Sequence, residues 1–589
     1  MVLITENQFH DVIQRWRDTP DDRLKPEDHK LFHNVGSTCI SQGDSAQMLN
    51  FIQDDKNQNI VRSMGCGLLG ILVNEMQRKN NSDCQIIITH LTKTCRPKEV
   101  LFALLEPLKD IHPDAIADTV TVVTPHLQTA LLRLGEDKAP SVGLSLSALQ
   151  KQVSRLPVPY TPQQEKDDGY GLCRCCAALT AFLRPFVEEV RRGDGVSPRD
   201  DGLLRTELLK FCMESLREPL LQAQLDQVTT ERSPMWVYAR DTLVTLMAVQ
   251  ESLPDLLFYG SLRKNLAVDD AQEVQARACL AYLIFVQFIT IESFPAVFSP
   301  VFVLQCNMEY INLLLSRKDE SWLLKGLALY AKSLELVEDR SLPVELLELK
   351  TFYTVPQNLV QILTDCPIKH LRERGLNVFQ LFIDKLDVEA KHKFFRCILK
   401  TTQHAGVEGY VIKNIKNQVE YSMKPGNMNS LFLGDQFLPL LSLVLCLPQG
   451  PETDLLHGMD RIMESLNLLR LLVIRDKEWK RTTGVWMELC KIKDDFLKLL
   501  RVCLSMSRSY YLTQVKTMRE DRKIQAREAR MAQTSMVVKS MTVKQEKVSD
   551  MPPEIQYQVL QSALVTFDLM ESIIFRIEEI IKEKEEHQQ

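Results

Sequence analysis

The chain has 589 residues, 45% hydrophobic and 25% charged, with 71 Lys and Arg against 77 Asp and Glu, a formal net charge of −6. That balance excludes wholesale disorder and collagen-like structure. Glycine is scarce at 22 residues, so positions with φ > 0, tight hairpins and phosphate-cradling loops are few, and the composition leans helical and away from β-rich or nucleotide-binding classes.

The length allows about four ordinary domains, unless a repeat array evades that count. The chain opens Met1-Val2-Leu3-Ile4-Thr5-Glu6, with neither a basic start nor a cleavage site, so no secretory signal is expected. His29 and His33 stand four apart, a spacing that suits a metal. A zinc peptidase would carry Glu beside the first His, and Lys30 stands there instead, which favours a solvated helix face. Gly65-Cys66-Gly67-Leu68-Leu69-Gly70 matches a dinucleotide-binding string. A polar stretch, Asp54 to Asn59, precedes it in place of a buried strand, so close helix packing through small residues is expected there.

Leu156-Pro157-Val158-Pro159-Tyr160-Thr161-Pro162 reads as a stiff extended connector. Cys173-Arg174-Cys175-Cys176 is dense in sulfur but lacks a second ligand pair at zinc spacing. The 15 cysteines are expected to be reduced, mostly core thiols of an intracellular, cytoplasmic protein. Arg191 to Gly202 reads as an exposed loop. Ala276 to Ile291 is the most apolar stretch; Gln287, Thr290 and Glu292 cut it short of a membrane span, and a buried helix with no membrane insertion is expected.

Lys325-Gly326-Leu327 and Arg374-Gly375-Leu376 recur 49 positions apart in apolar helices, and Arg62 to Gly65 has a similar look. A period of about 40–50 built from two helices suits HEAT or armadillo units. Each pair is too small to bury its own apolar face, and stacking supplies the missing surface. The expected fold is therefore an all-α, HEAT/armadillo-like helical-repeat solenoid. Further on, Phe394, Phe395, Ile398 and Leu399 share one helical face and Lys393, Arg396 and Lys400 the other. Val411, Ile412, Ile415 and Val419 mark the next helix, with Lys413 and Lys416 facing out. Lys424 to Asn427 is a turn.

Residues 391–424 carry a net charge of about +5 and residues 498–547 about +8. Such stripes steer acidic protein surfaces. They lack the interleaved stacking aromatics of a nucleic-acid binder, so no nucleic acid is expected. Residues 517–550 are polar and poor in aromatics and are expected to be mobile or partly helical. A last helix, about 554–585, repeats Leu560, Phe567 and Ile574 every seven residues, as a short coiled coil or, more simply, as a cap on the array. The expected blocks are 1–155, 156–300, 301–516 for partner binding, 517–550 and 551–589. No catalytic signature, cofactor motif or metal set stands in the linear sequence, and a non-enzymatic protein is expected.

Specific strings resemble the glomulin family. They are Leu156 to Tyr160, Tyr170-Gly171-Leu172-Cys173 with Cys175-Cys176, Pro185 to Val190, Gly406-Val407-Glu408, Asn414 to Gln418, Glu452 to Leu456, Asp460 to Met463 with Ser465 to Arg470, and Met551 to Glu554 with Thr566 to Leu569. The resemblance spans nearly the whole chain and fits least in the first 30 or so residues and in 517–550. It implies a HEAT-like, FKBP-associated protein that inhibits cullin–RING ubiquitin ligases. In that family the carboxy-terminal repeats grip the RING domain of the ligase's RING-box subunit and cover the surface that recruits the ubiquitin-conjugating enzyme. A small immunophilin and the hepatocyte growth factor receptor are further implied partners, with a role in the vasculature. Polar groups of the matched carboxy-terminal strings form the candidate contact set: His404, Glu408, Lys416, Asn417, Arg461, Asn467, Arg470 and Arg475. Trp486, Tyr510 and Tyr511 join them, because aromatic and Arg anchors dominate interface energy.

Overall fold

The computed structural model describes residues 6–19, 24–79, 82–135, 137–193, 198–225, 232–249, 252–258, 270–427, 429–475, 483–531 and 553–586. These residues are helical almost throughout, and among them there is no β-strand, only one isolated bridge between Leu342 and Leu386. The chain is an all-α helical-repeat protein. It forms two compact units, Met1–Leu336 and Val337–Gln589.

In the first unit the helices are short and pair with their neighbours, as Pro300–Leu315 does with Glu320–Glu335. The glycine that recurs in the repeat has a steric reason. A Cβ on Gly326 would lie 2.8 Å from Leu315 Cδ2 and 2.9 Å from Leu314 Cβ, both on the preceding helix. Gly375 of the second unit faces its own preceding helix in the same way, with Leu363 Cδ2 at 3.3 Å. The basic residues before these glycines diverge. Lys325 is buried and its ammonium donates to the Ala223 carbonyl at 2.5 Å, whereas Arg374 is exposed.

The apolar stretch at 276–291 becomes the buried helix Asp270–Phe285, with Ala276 and Ala278 to Phe285 in the core. Residues 65–70 lie in a 3-10 turn and the start of the helix Leu69–Lys79, against the helix Ser82–Thr94, where a Cβ on Gly65 would meet Leu91 at 2.7 Å. The exposed loop expected over 191–202 is shorter than that. The helix Leu172–Arg192 ends on Gly193 at φ +68, and a new helix, Pro198–Ser215, takes in Gly202, with Pro at its first position. Residues 194–197 lie outside the described residues.

In the second unit, Lys350–Asp365 pairs with Lys369–Lys385, Val388–Thr401 leads into Ala405–Ser422, and the latter packs along Met459–Ile474. The amphipathic pattern translates directly. Phe394, Phe395, Ile398 and Leu399 are buried, while Lys393, Arg396 and Lys400 are exposed. Two long helices, Thr483–Met531 and Pro553–Glu586, then run side by side. The first carries helix from Thr517 to Met531, and residues 532–552 lie outside the described residues. By length and hydropathy Glu554–Glu583 is long and apolar enough to cross a bilayer. Here its heptad seam of Leu560, Ala563, Phe567, Met570, Ile574 and Ile577 is buried inside the chain, against Met459–Ile474 and Thr483–Met531.

Candidate functional site

The contact between Ala405–Ser422 and Met459–Ile474 is built around a charge pair. On the first helix Glu408 shares a face with Val411, Ile412, Ile415 and Val419; on the second Arg461 shares one with Ser465, Leu468, Leu469 and Leu472. All of these side chains are buried. Arg461 Nη1 donates to Glu408 Oε1 at 2.6 Å, and Nη2 donates to the Leu443 carbonyl at 2.8 Å and to Cys446 Sγ at 3.2 Å. Burial pushes the Glu408 carboxyl above its ordinary range, and the Arg461 guanidinium pulls it back down. The backbones also approach closely: a Cβ on Gly409 would stand 2.9 Å from the Asp460 carbonyl oxygen. Glu408 and Arg461 are thus brought together inside the fold, where they lock two helices and present nothing to solvent.

The other candidates lie outside this lock. His404 is exposed and caps Ala405–Ser422, its Nδ1 accepting the Val407 N–H at 3.4 Å. Lys416 and Asn467 are half-buried; Asn417, Arg470 and Arg475 are exposed. The Arg475 N–H closes the end of its helix on the Leu471 carbonyl at 3.0 Å. The side chain of Trp486 lies outside the described residues.

Tyr511 belongs to the seam between the two long helices, its ring 5.5 Å from that of Phe567. Burial first, then the Asp454 carboxylate and the neighbouring Tyr510, push its phenol up to about 12. Tyr510 packs edge-on to Tyr511 at 5.6 Å but is itself 61% exposed. Tyr510 is not isolated. Val502 and Met506, 45% and 51% exposed, fall on the same helical face within a roughly 80° arc. They lie beside the buried row of Phe496, Leu500, Cys503 and Leu504. The helix is therefore apolar on more of its circumference than its partner helix covers. Sequence reasoning found Tyr510 but missed Val502 and Met506. The signal was available in their spacing of four, beside a seam already filled.

Among the described residues no group of three or more His, Cys, Asp or Glu is placed to hold a metal ion. His29 and His33 are both exposed on the helix Pro26–Gln42. Cys173, Cys175 and Cys176 are buried at the start of Leu172–Arg192. Burial and then the Asp168 carboxylate push the thiols of Cys173 and Cys175 up to about 12, which suppresses the thiolate that redox or nucleophilic chemistry needs. All fifteen cysteines are free thiols.

Over residues 1–563 the chain matches a family described as an uncharacterised protein family, YAP/Alf4/glomulin. It is 42% identical to human glomulin, over 98% of this chain and 97% of that protein. The mouse glomulin comparison gives the same identity and the same coverage.

Proposed function

The chain belongs to the YAP/Alf4/glomulin family, and from that premise we propose that it is a non-catalytic inhibitor of cullin–RING ubiquitin ligases. It acts in the cytoplasm, binding the RING domain of the RING-box subunit through its carboxy-terminal unit and masking the surface that recruits the ubiquitin-conjugating enzyme. Its partner is a protein, not nucleic acid or a membrane. The observation that supports this is the exposed apolar edge of Val502, Met506 and Tyr510 on Thr483–Met531. Uncovered apolar side chains in register on a rigid helix are what a protein partner buries. Masking a surface needs area and fit, about 800 Å² per partner in an ordinary stable complex. It needs no chemistry, so inhibition tracks affinity alone.

The test is ubiquitin discharge by a neddylated cullin–RING ligase with the full chain added. The wild type blocks discharge. Val502→Asp with Met506→Asp keeps the unfolding midpoint, because surface changes cost within about 0.5 kcal/mol, and loses at least tenfold in inhibition. A full chain that binds no RING-box subunit ends the proposal.

A second role is supported by the connector before Pro162. Pro157 and Tyr160 are exposed on non-helical backbone between the helices Lys138–Val153 and Pro162–Asp167. A small immunophilin docks there, and the chain scaffolds it with the hepatocyte growth factor receptor. Pro157→Ala with Pro159→Ala abolishes immunophilin capture and leaves ligase inhibition intact; capture that survives both changes removes this role.

A further inference from the structure

A cleft in the carboxy-terminal unit has no part in the function proposed above. It begins with a short loop. The Arg340 N–H donates to the Asp384 carbonyl at 3.0 Å, the Leu342 N–H to Lys385 at 2.9 Å and the Asp387 N–H to Leu342 at 2.9 Å. These bonds stitch the loop to the joint between Lys369–Lys385 and Val388–Thr401. They hold Arg340 at φ +62, a left-handed conformation that costs a residue with a Cβ on the order of 1–2 kcal/mol. The same stitching lays the Arg340 guanidinium 3.4 Å over the ring of Tyr421, a cation–π contact that fixes its position.

Arg340 and Tyr421 wall a cleft of about 270 Å³, together with Asp384, Lys391, Gln418 and Lys424 among others. Lys391 is 5% exposed and Gln418 6%. The Gln418 Nε2 meets no hydrogen-bond acceptor, and a buried donor left unsatisfied costs about 1–3 kcal/mol. Burial, and then the Arg340 guanidinium, pull the Lys391 ammonium below the usual lysine range; Asp384, Asp339 and Asp387 pull it back.

Asp384 and Glu420 are the carboxylates of the lining, and Asp339 and Asp387 stand outside it. Asp339 is paired with Lys385 at 2.7 Å, Asp387 caps its helix by accepting the Ala390 N–H at 2.7 Å, and Asp384 accepts from Gln380 Nε2 at 2.9 Å. Glu420 stands exposed at the rim. The lining holds three cations, Arg340, Lys391 and Lys424, against two carboxylates, Asp384 and Glu420, which leaves it with an excess of positive charge.

We propose that this cleft binds an oxyanion, a carboxylate or a phosphate group, held by Arg340, Lys391 and Lys424. At about 270 Å³ it is smaller than the roughly 300–1,000 Å³ of sites for drug-sized ligands. It therefore takes one anionic head and not a large molecule. An arriving anion offsets the like-charge repulsion between Arg340 and Lys391.

The experiment is isothermal titration calorimetry of the full chain at low salt, where screening is weak, with inorganic phosphate in one arm and succinate in the other. Saturable one-to-one binding in either arm is expected, and the arm that responds assigns the group. Arg340→Gly suits the left-handed backbone, so it keeps or raises the thermal midpoint and weakens binding at least tenfold. Lys391→Met keeps the volume of the side chain and weakens binding as much. No saturable binding of either anion overturns the proposal, and so does binding that both variants leave unchanged. Ligase inhibition measured on the same variants is a separate readout, so failure there leaves the anion site standing.

Discussion

Two helix pairs of the carboxy-terminal unit put opposite chemistry in opposite places. Between Ala405–Ser422 and Met459–Ile474 the charges are inside: Glu408 and Arg461 are buried and paired at 2.6 Å, and Gly409 lets the backbones close on each other. Between Thr483–Met531 and Pro553–Glu586 the charges are outside, with Arg508 bridging Asp568 at 2.6 Å and Glu571 at 2.8 Å on the surface. There the apolar side chains reach solvent instead, as Met506 and Tyr510 do. The first pair spends Glu408 and Arg461 on a lock, and neither is left for a partner. The second leaves part of its apolar circumference uncovered. Residue type alone therefore misleads about a binding face, because the buried arginine is structural and the exposed methionine is available.

The sharpest way to break this contrast is to remove one half of the lock. Arg461→Leu leaves the Glu408 carboxylate buried and unpaired, which costs about 3–5 kcal/mol. The Leu443 carbonyl loses its donor as well. Adding Glu408→Leu to the same chain recovers most of the loss, because two well-packed apolar side chains are often as stable as a buried ion pair. Urea midpoints of the two variants check it. A single variant that loses less than 1 kcal/mol would show that the pair is not a lock.

Much of this was legible in sequence. The period of 3.6 placed Phe394, Phe395, Ile398 and Leu399 inside and Lys393, Arg396 and Lys400 outside, and the structure keeps that division. The Gly326 and Gly375 repeat pointed to paired helices, and both glycines meet the preceding helix. The Glu408–Arg461 pair was not legible as a pair, because its members are 53 positions apart and meet only when the helices cross. A partial signal existed: each charged residue sits at a core position of its own helix, where a solvated side chain does not belong. The anion cleft was only partly legible: Lys391 and Lys424 lie in the basic stretch 391–424, but nothing in the sequence joined Arg340 to them. Arg340, Lys391 and Lys424 come from a loop, a helix and a turn, and only the stitching of the loop onto the helical joint gathers them.

The smallest expected effect tests the open pair from its closed side. Tyr511 lies in the seam against Phe567, and its phenol is pushed up to about 12, from about 10 in an unfolded chain. Between those values the folded state keeps a proton that the unfolded state has lost. The contribution is therefore complete below about pH 10 and drains away as the pH rises towards 12. Tyr511→Phe removes the hydroxyl beside Asp454 and leaves the ring packing. It costs about 0.5–1.5 kcal/mol near neutral pH, and the variant loses less stability than the wild type on going from pH 10 to pH 12. Denaturant midpoints across that window decide it. Equal alkaline slopes in the two proteins would place the Tyr511 hydroxyl in water. The seam between the long helices would then be as open as the face that carries Met506, and the contrast between a sealed side and an available side of that pair would be lost.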